Sequence, residues 1–333
     1  MYLIVGARPF SAKEIIRMTG MAMVCLLVYI ITKPFYLLRR YAMDGSKFLM
    51  AMKIIECPRD AMQGMVEFIP TELKIAYLNK LLKIGFDTID FGSFVSPKAI
   101  PQLRDTSEVL AGLELTATSS KLLAIIANAR GADEALTHEK IAYLGYPMSI
   151  SDTFQQKNTG KSIIESLEIL TYIQEQCNKA NRTLVVYLSM GFGNPYGDPF
   201  NNQIVLQFAD ILASLGVKII SLADTVGLAT PDQIIDLYGE LVGTDSSIEY
   251  GLHLHSNPAL ARQKVDAAIT AGCQRIDGAI LGYGGCPMAE DDLVGNIDTR
   301  TIVGSLQDHD IDAHLDMASF EDAEQFAAQI FNP

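Results

Sequence analysis

Basic residues are in the minority in this chain. Its 333 residues carry 26 Lys and Arg against 39 Asp and Glu, for a formal net charge of -13. Non-specific nucleic-acid binding needs a broad basic surface, so that class of function is excluded. A local group of Lys and Arg can still hold an anionic small molecule. Cysteine is scarce as well. Cys25, Cys57, Cys177, Cys273 and Cys286 are odd in number, scattered and form no CxxC. That pattern argues against a disulfide framework and for a reducing compartment, the cytoplasm. No GxGxxG follows the first strand, which counts against a dinucleotide-binding domain. Internal repeats, low-complexity tracts and interdomain linkers are also missing.

Long hydrophobic runs are short of what a membrane needs. Met21 to Thr32 is apolar-leaning and flanked by Arg8, Lys13, Arg17, Lys33 and Arg39-Arg40. It falls below the ~20 residues that span a bilayer, and no A-x-A cleavage site follows it. Residues 1–49 are therefore expected to lie outside the fold. They are either an over-extended translation start or a short membrane-associating segment over residues 18–38. Met50 or Met52 stands just before the first core strand, so the folded domain is expected over residues 50–333.

Hydrophobic residues make up 49% of the chain, ample for a large core. From Lys53 onward, short aliphatic runs alternate with longer amphipathic stretches. Strands are predicted at Lys53–Cys57, Thr88–Phe91, Leu122–Ile126, Lys140–Leu144, Thr183–Ser189, Val217–Ala223, Ile248–His253 and Arg275–Ile280. Helices are predicted at Thr71–Ile84, Ser162–Ala180, Gln203–Leu215, Pro231–Val242 and Ala259–Ala271. Thr71 is a plausible N-cap and Pro231 suits a first helical turn. Gly85, Gly216 and Gly272 each follow a helix, where C-cap glycines belong. Eight strands, most of them followed by helical sequence, point to an α/β fold, a (β/α)8 barrel rather than an open sheet. Phe320 to Ile330 is expected to add a C-terminal helical extension.

Only five histidines occur, and two of them, His253 and His255, stand two residues apart on a predicted strand. That spacing sends both imidazoles to one face, where they can converge on a metal ion. A barrel collects its active site at the C-terminal ends of its strands. Arg59-Asp60 follows strand one, Asp90 ends strand two, Asp224 ends strand six and the histidines end strand seven. Gly282-Tyr-Gly-Gly-Cys-Pro287 and Asn296 come after strand eight. Asp60, His253, His255 and Asn296 together offer two nitrogen and two oxygen ligands, an open mixed site that suits a catalytic divalent cation. Each residue also has a plain structural reading: a surface ion pair for Arg59-Asp60, a helix N-cap for Asp224, a turn for Asn296, a buried thiol for Cys286.

These residues resemble the 3-hydroxy-3-methylglutaryl-CoA lyases, a branch of the DRE-TIM metallolyases. The likeness rests on Pro58-Arg-Asp60, Ser93-Phe-Val-Ser-Pro-Lys98, Asp224-Thr-Val-Gly227, His253-Leu-His255 and Gly284-Gly-Cys-Pro287, and it runs from about residue 53 to 304. The resemblance implies metal ligands at Asp60, His253, His255 and Asn296, with Mg2+ or Mn2+ as the ion. It implies a substrate-contacting arginine at Arg59, an active-site thiol on a glycine-rich loop at Cys286, and further site carboxylates at Asp90 and Asp224. His253 or Asp224 would assist Cys286 in moving a proton. The implied partner is an acyl-CoA substrate and the implied assembly a homo-oligomer, a dimer.

The chain departs from the family pattern in places. Asp90 stands where Glu is common, Ala61 replaces a Gly, and Val66 occupies a position where a lysine would meet CoA phosphates. Met190 and Asn194 replace two cysteines, and the segment from Cys286 to Asn296 is one residue longer. These changes bear on acyl-CoA contacts more than on cleavage. The competing readings are a related aldolase or acyl-CoA synthase acting on another 3-hydroxy or 2-oxo acid, an iron-binding facial triad in an oxygenase, and a non-enzymatic barrel tethered through residues 18–38.

Overall fold

The computed structural model describes residues 52–285 and 294–331. The N-terminal segment 1–49 and Cys286 therefore lie outside the described residues.

Strands β1 (Lys53–Glu56), β2 (Thr88–Ser93), β3 (Lys121–Ile125), β4 (Ile141–Ser149), β5 (Thr183–Ser189), β6 (Ile219–Asp224), β7 (Glu249–Ser256) and β8 (Arg275–Gly278) pair in parallel. Neighbours follow chain order from β1 to β6, β1 also pairs with β8, and β6 closes onto β7, which pairs with β8. That circuit is a closed eight-stranded (β/α)8 barrel. Around it run α1 (Pro58–Gln63), α2 (Thr71–Leu81), α3 (Thr106–Ala111), α4 (Ala129–Leu136), α5 (Asp152–Thr159), α6 (Ile163–Lys179), α7 (Asn202–Ser214), α8 (Pro231–Val242), α9 (Pro258–Thr270) and α10 (Thr299–Asp308). The expected C-terminal extension is α11 (Met317–Phe331).

Local chemistry sets the helix boundaries. Ser162 and Glu165 form a reciprocal capping box at the start of α6, and Thr230 and Gln233 form another at α8. Each box satisfies two amide donors that the first helical turn leaves orphaned. Pro231 and Pro258 occupy the first helical turns of α8 and α9, where a missing N–H costs nothing. Thr71 is not the N-cap of α2. Pro70 holds that position, and Thr71, already helical, spends its hydroxyl on Asp105 at 2.8 Å. Gly85, Gly216 and Gly272 adopt φ of 99°, 88° and 79°, left-handed conformations that β-carbons oppose, so the chain turns out of its helices there.

The core has two parts. The larger fills the space between barrel and helices, with Ile54, Leu122, Leu144, Val186, Ile220 and Leu252 facing outward from the strands. The smaller, around Leu123, Tyr143, Val185, Tyr187 and Ile219, fills the barrel axis. α11 closes one flank: Phe331 stacks on Tyr283 at 5.0 Å between ring centroids and meets Tyr77 of α2 edge-on at 6.0 Å. Among the described residues no helix is long and apolar enough to cross a membrane.

Candidate active site

β7 ends in His253-Leu254-His255, and the strand's twofold alternation sends both imidazoles into the mouth of the barrel. Their Nε2 atoms face each other at 3.2 Å. Both Nδ1 atoms are engaged on the far side, that of His255 with the Thr225 carbonyl at 3.0 Å and that of His253 with Asp277 Oδ2 at 3.0 Å. A carbonyl only accepts, so His255 carries its proton on Nδ1 and presents a bare lone pair at Nε2. Burial, then the neighbouring His253, pushes the pKa of His255 down to about 4, which keeps that ring neutral. Burial also opposes charge on His253, but the Asp277 carboxylate outweighs it and raises the pKa.

Asp60 completes the cluster. Its Oδ2 lies 4.0 Å from His255 Nε2, and one ligand atom from each of Asp60, His253 and His255 falls within 4.8 Å of the others. Burial pushes the Asp60 pKa up, yet Arg59, His253 and His255 together hold it below the ordinary value. With both rings neutral, two imidazole lone pairs and a carboxylate converge on one buried point. Such a set is stable only around positive charge: a proton on His253 or a cation. The donor set therefore fits a divalent metal, and the carboxylate–histidine pair Asp277–His253 is the usual support of a metal ligand.

Asn296 arrives from elsewhere in the chain. Residues Gly295–Asn296 form β9, which pairs antiparallel with β7 and sets Asn296 directly opposite His255. Its Nδ2 donates to Asp60 Oδ2 at 2.6 Å and to the Tyr283 carbonyl at 2.8 Å. In this arrangement Asn296 is a donor to Asp60, and a flip of the amide would present its oxygen instead.

Arg59, on α1, lies beside these groups. Its Nε and Nη2 donate to Asp90 Oδ2 at 2.9 and 2.5 Å, and its Nη1 donates to Asp60 Oδ1 at 2.8 Å and Gln63 Oε1 at 2.9 Å. Burial disfavours its charge, but Asp90 and Asp60 overcome that and raise its pKa. Burial lifts Asp90 to about 6 against the pull of Arg59. The guanidinium is thus fixed and ionised on the rim of the histidine cluster.

The structure brings Arg59, Asp60, Asp90, His253, His255 and Asn296 together. Asp224 stands apart from the ligand atoms: its Oδ2 accepts from Lys264 Nζ at 2.7 Å and its Oδ1 from the Ala229 amide at 3.1 Å. Two residues escaped the sequence reading. Asp277 pairs in register with His253 across β7 and β8, and a search for a carboxylate on the strand next to the histidines would have found it. Lys264 left no signal, because one lysine on an amphipathic helix reads as a solvated residue.

Known proteins match this chain over most of its length. The family model described as HMGL-like matches residues 52–327. A Bacillus subtilis hydroxymethylglutaryl-CoA lyase is 34% identical over 261 residues, covering 78% of this chain and 85% of that protein. The mouse mitochondrial hydroxymethylglutaryl-CoA lyase is 29% identical over 284 residues, covering 84% of this chain and 86% of its own. The structure of an HMG-CoA lyase from Acinetobacter baumannii in complex with coenzyme A and 3-methylmalate superposes with a TM-score of 0.80 at 30% identity, covering 86% of this chain and 93% of that one. With the family model spanning most of its length, the chain belongs to the HMGL-like family.

Proposed function

We propose that this chain is a divalent-metal carbon–carbon lyase that cleaves 3-hydroxy-3-methylglutaryl-CoA to acetoacetate and acetyl-CoA, as in leucine degradation and ketone-body formation. The observation that carries the reading is the convergence of His253 Nε2, His255 Nε2 and Asp60 Oδ2 beside the ionised Arg59, on a chain of the HMGL-like family. Asp60, His253, His255 and Asn296 would hold the cation, Mg2+ or Mn2+. When bound, it supplies Lewis acidity that makes the substrate's tertiary hydroxyl easier to deprotonate.

The chain's own groups do the rest. Asp90, at about 6, is a base of suitable strength to take the hydroxyl proton near neutral pH. The electron pair left on that oxygen becomes the new ketone as the C2–C3 bond breaks. The bonding pair passes to C2 and the thioester, forming an enolate. Arg59, locked by Asp90 and Asp60, stabilises the negative charge on the thioester oxygen. Cys286, which follows Gly284-Gly285 in the sequence, is proposed to deliver the proton that turns the enolate carbon into the methyl group of acetyl-CoA. Asp224 is proposed to act at a distance, through the loop that orients His255.

The proposed compartment is reducing, which the buried and unpaired Cys57, Cys177 and Cys273 support. The proposed assembly is a homodimer. The substrate assignment is tested by incubating the Mn2+-loaded protein with HMG-CoA and, separately, with other 3-hydroxyacyl thioesters. Acetoacetate from HMG-CoA at the highest kcat/KM is expected. Turnover of another thioester with none of HMG-CoA would move the chain to a different member of the metallolyases.

A further inference from the structure

Lys264 is 1% exposed, one of the largest fully buried side chains in the molecule. Burying an ammonium costs several kcal/mol unless it is paired and its donors are used. An ammonium has three N–H donors, and here each has an acceptor. Nζ meets Asp224 Oδ2 at 2.7 Å, the His255 carbonyl at 2.8 Å and the Gly227 carbonyl at 3.0 Å. One group on α9 thus binds the end of β6, the loop after it and the end of β7.

The loop it binds is the one that directs His255. Asp224, pinned by Lys264, also fixes the far side of the loop through the Ala229 amide. Thr225 sits between these anchors. Its hydroxyl accepts from the Met190 amide at 2.9 Å, and its carbonyl accepts from His255 Nδ1 at 3.0 Å. Lys264 therefore holds both ends of one hydrogen bond, the backbone of His255 and the segment carrying the Thr225 carbonyl. That bond keeps the proton on Nδ1 and leaves Nε2 bare toward His253 and Asp60.

We propose that Lys264, paired with Asp224, is a positioning residue for the metal site: it fixes the tautomer and aim of His255 through the Thr225 carbonyl. The proposal rests on the metal-site reading above. It goes further by assigning part of the site's affinity to a helix residue that touches neither the cation nor substrate.

The test uses the full chain as wild type, as Lys264→Met, and as the double variant Asp224→Asn with Lys264→Met. The double variant removes both buried charges, so it keeps the test alive if Lys264→Met fails to fold around an unpaired Asp224. Mn2+ affinity is read from free Mn2+ by electron paramagnetic resonance, and the His255 tautomer from 15N shifts of the metal-free protein. Both variants are expected to bind Mn2+ about 10- to 100-fold more weakly, in line with losses from supporting-residue mutations at metal sites. The Nε2–H tautomer of His255 should also appear in them. Wild-type Mn2+ affinity and an unchanged tautomer in a folded variant would overturn the proposal and leave Lys264 a partner for Asp224 only. Failure of the wild-type chain itself to bind Mn2+ would instead overturn the metal reading, and the proposal with it.

Discussion

Asp277 and His253 stand in register on neighbouring strands, and the carboxylate takes the imidazole's Nδ1 at 3.0 Å. This contact turns His253 Nε2 toward His255, so the geometry of the proposed metal site is set by a residue outside its proposed ligand set. Asp277→Asn keeps the size but offers a weaker acceptor, and its amide can turn a donor to the ring. Mn2+ binding, measured by calorimetry, should weaken about 10- to 100-fold with the fold retained. Unchanged affinity would remove Asp277 from the site.

His255→Ala removes one of the two facing nitrogens. The rise in Tm that Mn2+ gives the wild-type protein should disappear, because a ligand stabilises only the state that binds it. Metal-dependent turnover should vanish with it. A Tm rise of wild-type size in the variant would contradict the ligand assignment.

Arg59→Lys separates charge from geometry. Lysine keeps the cation but cannot make the paired Nε and Nη2 contacts with Asp90. kcat/KM should fall roughly 10²- to 10³-fold, the loss seen when a donor to a developing oxyanion is removed. Mn2+ affinity should change by less than about tenfold, since Arg59 touches only the outer oxygen of Asp60. A large loss of metal affinity with little loss of turnover would reverse this account.

Glu56, which is not among the proposed ligands, gives a second pH dependence. It is fully buried, accepting from the Ile280 amide at 2.8 Å and the Thr299 hydroxyl at 2.6 Å, and burial raises its pKa from 4.5 to about 8. The folded state therefore holds this proton more tightly than the unfolded chain. Its contribution to stability is complete below about pH 4.5 and is lost as pH rises toward 8, by roughly 5 kcal/mol at most. Glu56→Gln mimics the protonated form and should flatten the fall in urea midpoint between pH 5 and 8. An equally steep fall in the variant would place the titrating group elsewhere.

The barrel was legible because its strands and helices repeat a strong pattern. β5 and α8 fall where periodicity places them, and the other strands shift by a few residues at their ends. The short helices α1, α3, α4, α5 and α10 were not legible, since fewer than three turns give too little periodicity to read. β9 is two residues long, and its pairing exists only because β7 offers an edge beside His255. The proposed ligands stood out in the sequence because histidines are rare and strand spacing is strict. Their supports did not: Lys264 lies nine positions after His255 on a different element, and its burial is decided by the packing of α9 against β7 and between α8 and α10.

Cleavage is proposed to depend on a cation held by Asp60, His253, His255 and Asn296. That dependence is tested most directly by measuring acetoacetate release from HMG-CoA by EDTA-stripped protein as Mn2+ is titrated back. No release is expected without metal, with a return that saturates at one Mn2+ per chain. Full release in EDTA, or none from folded protein with Mn2+ bound, would contradict it.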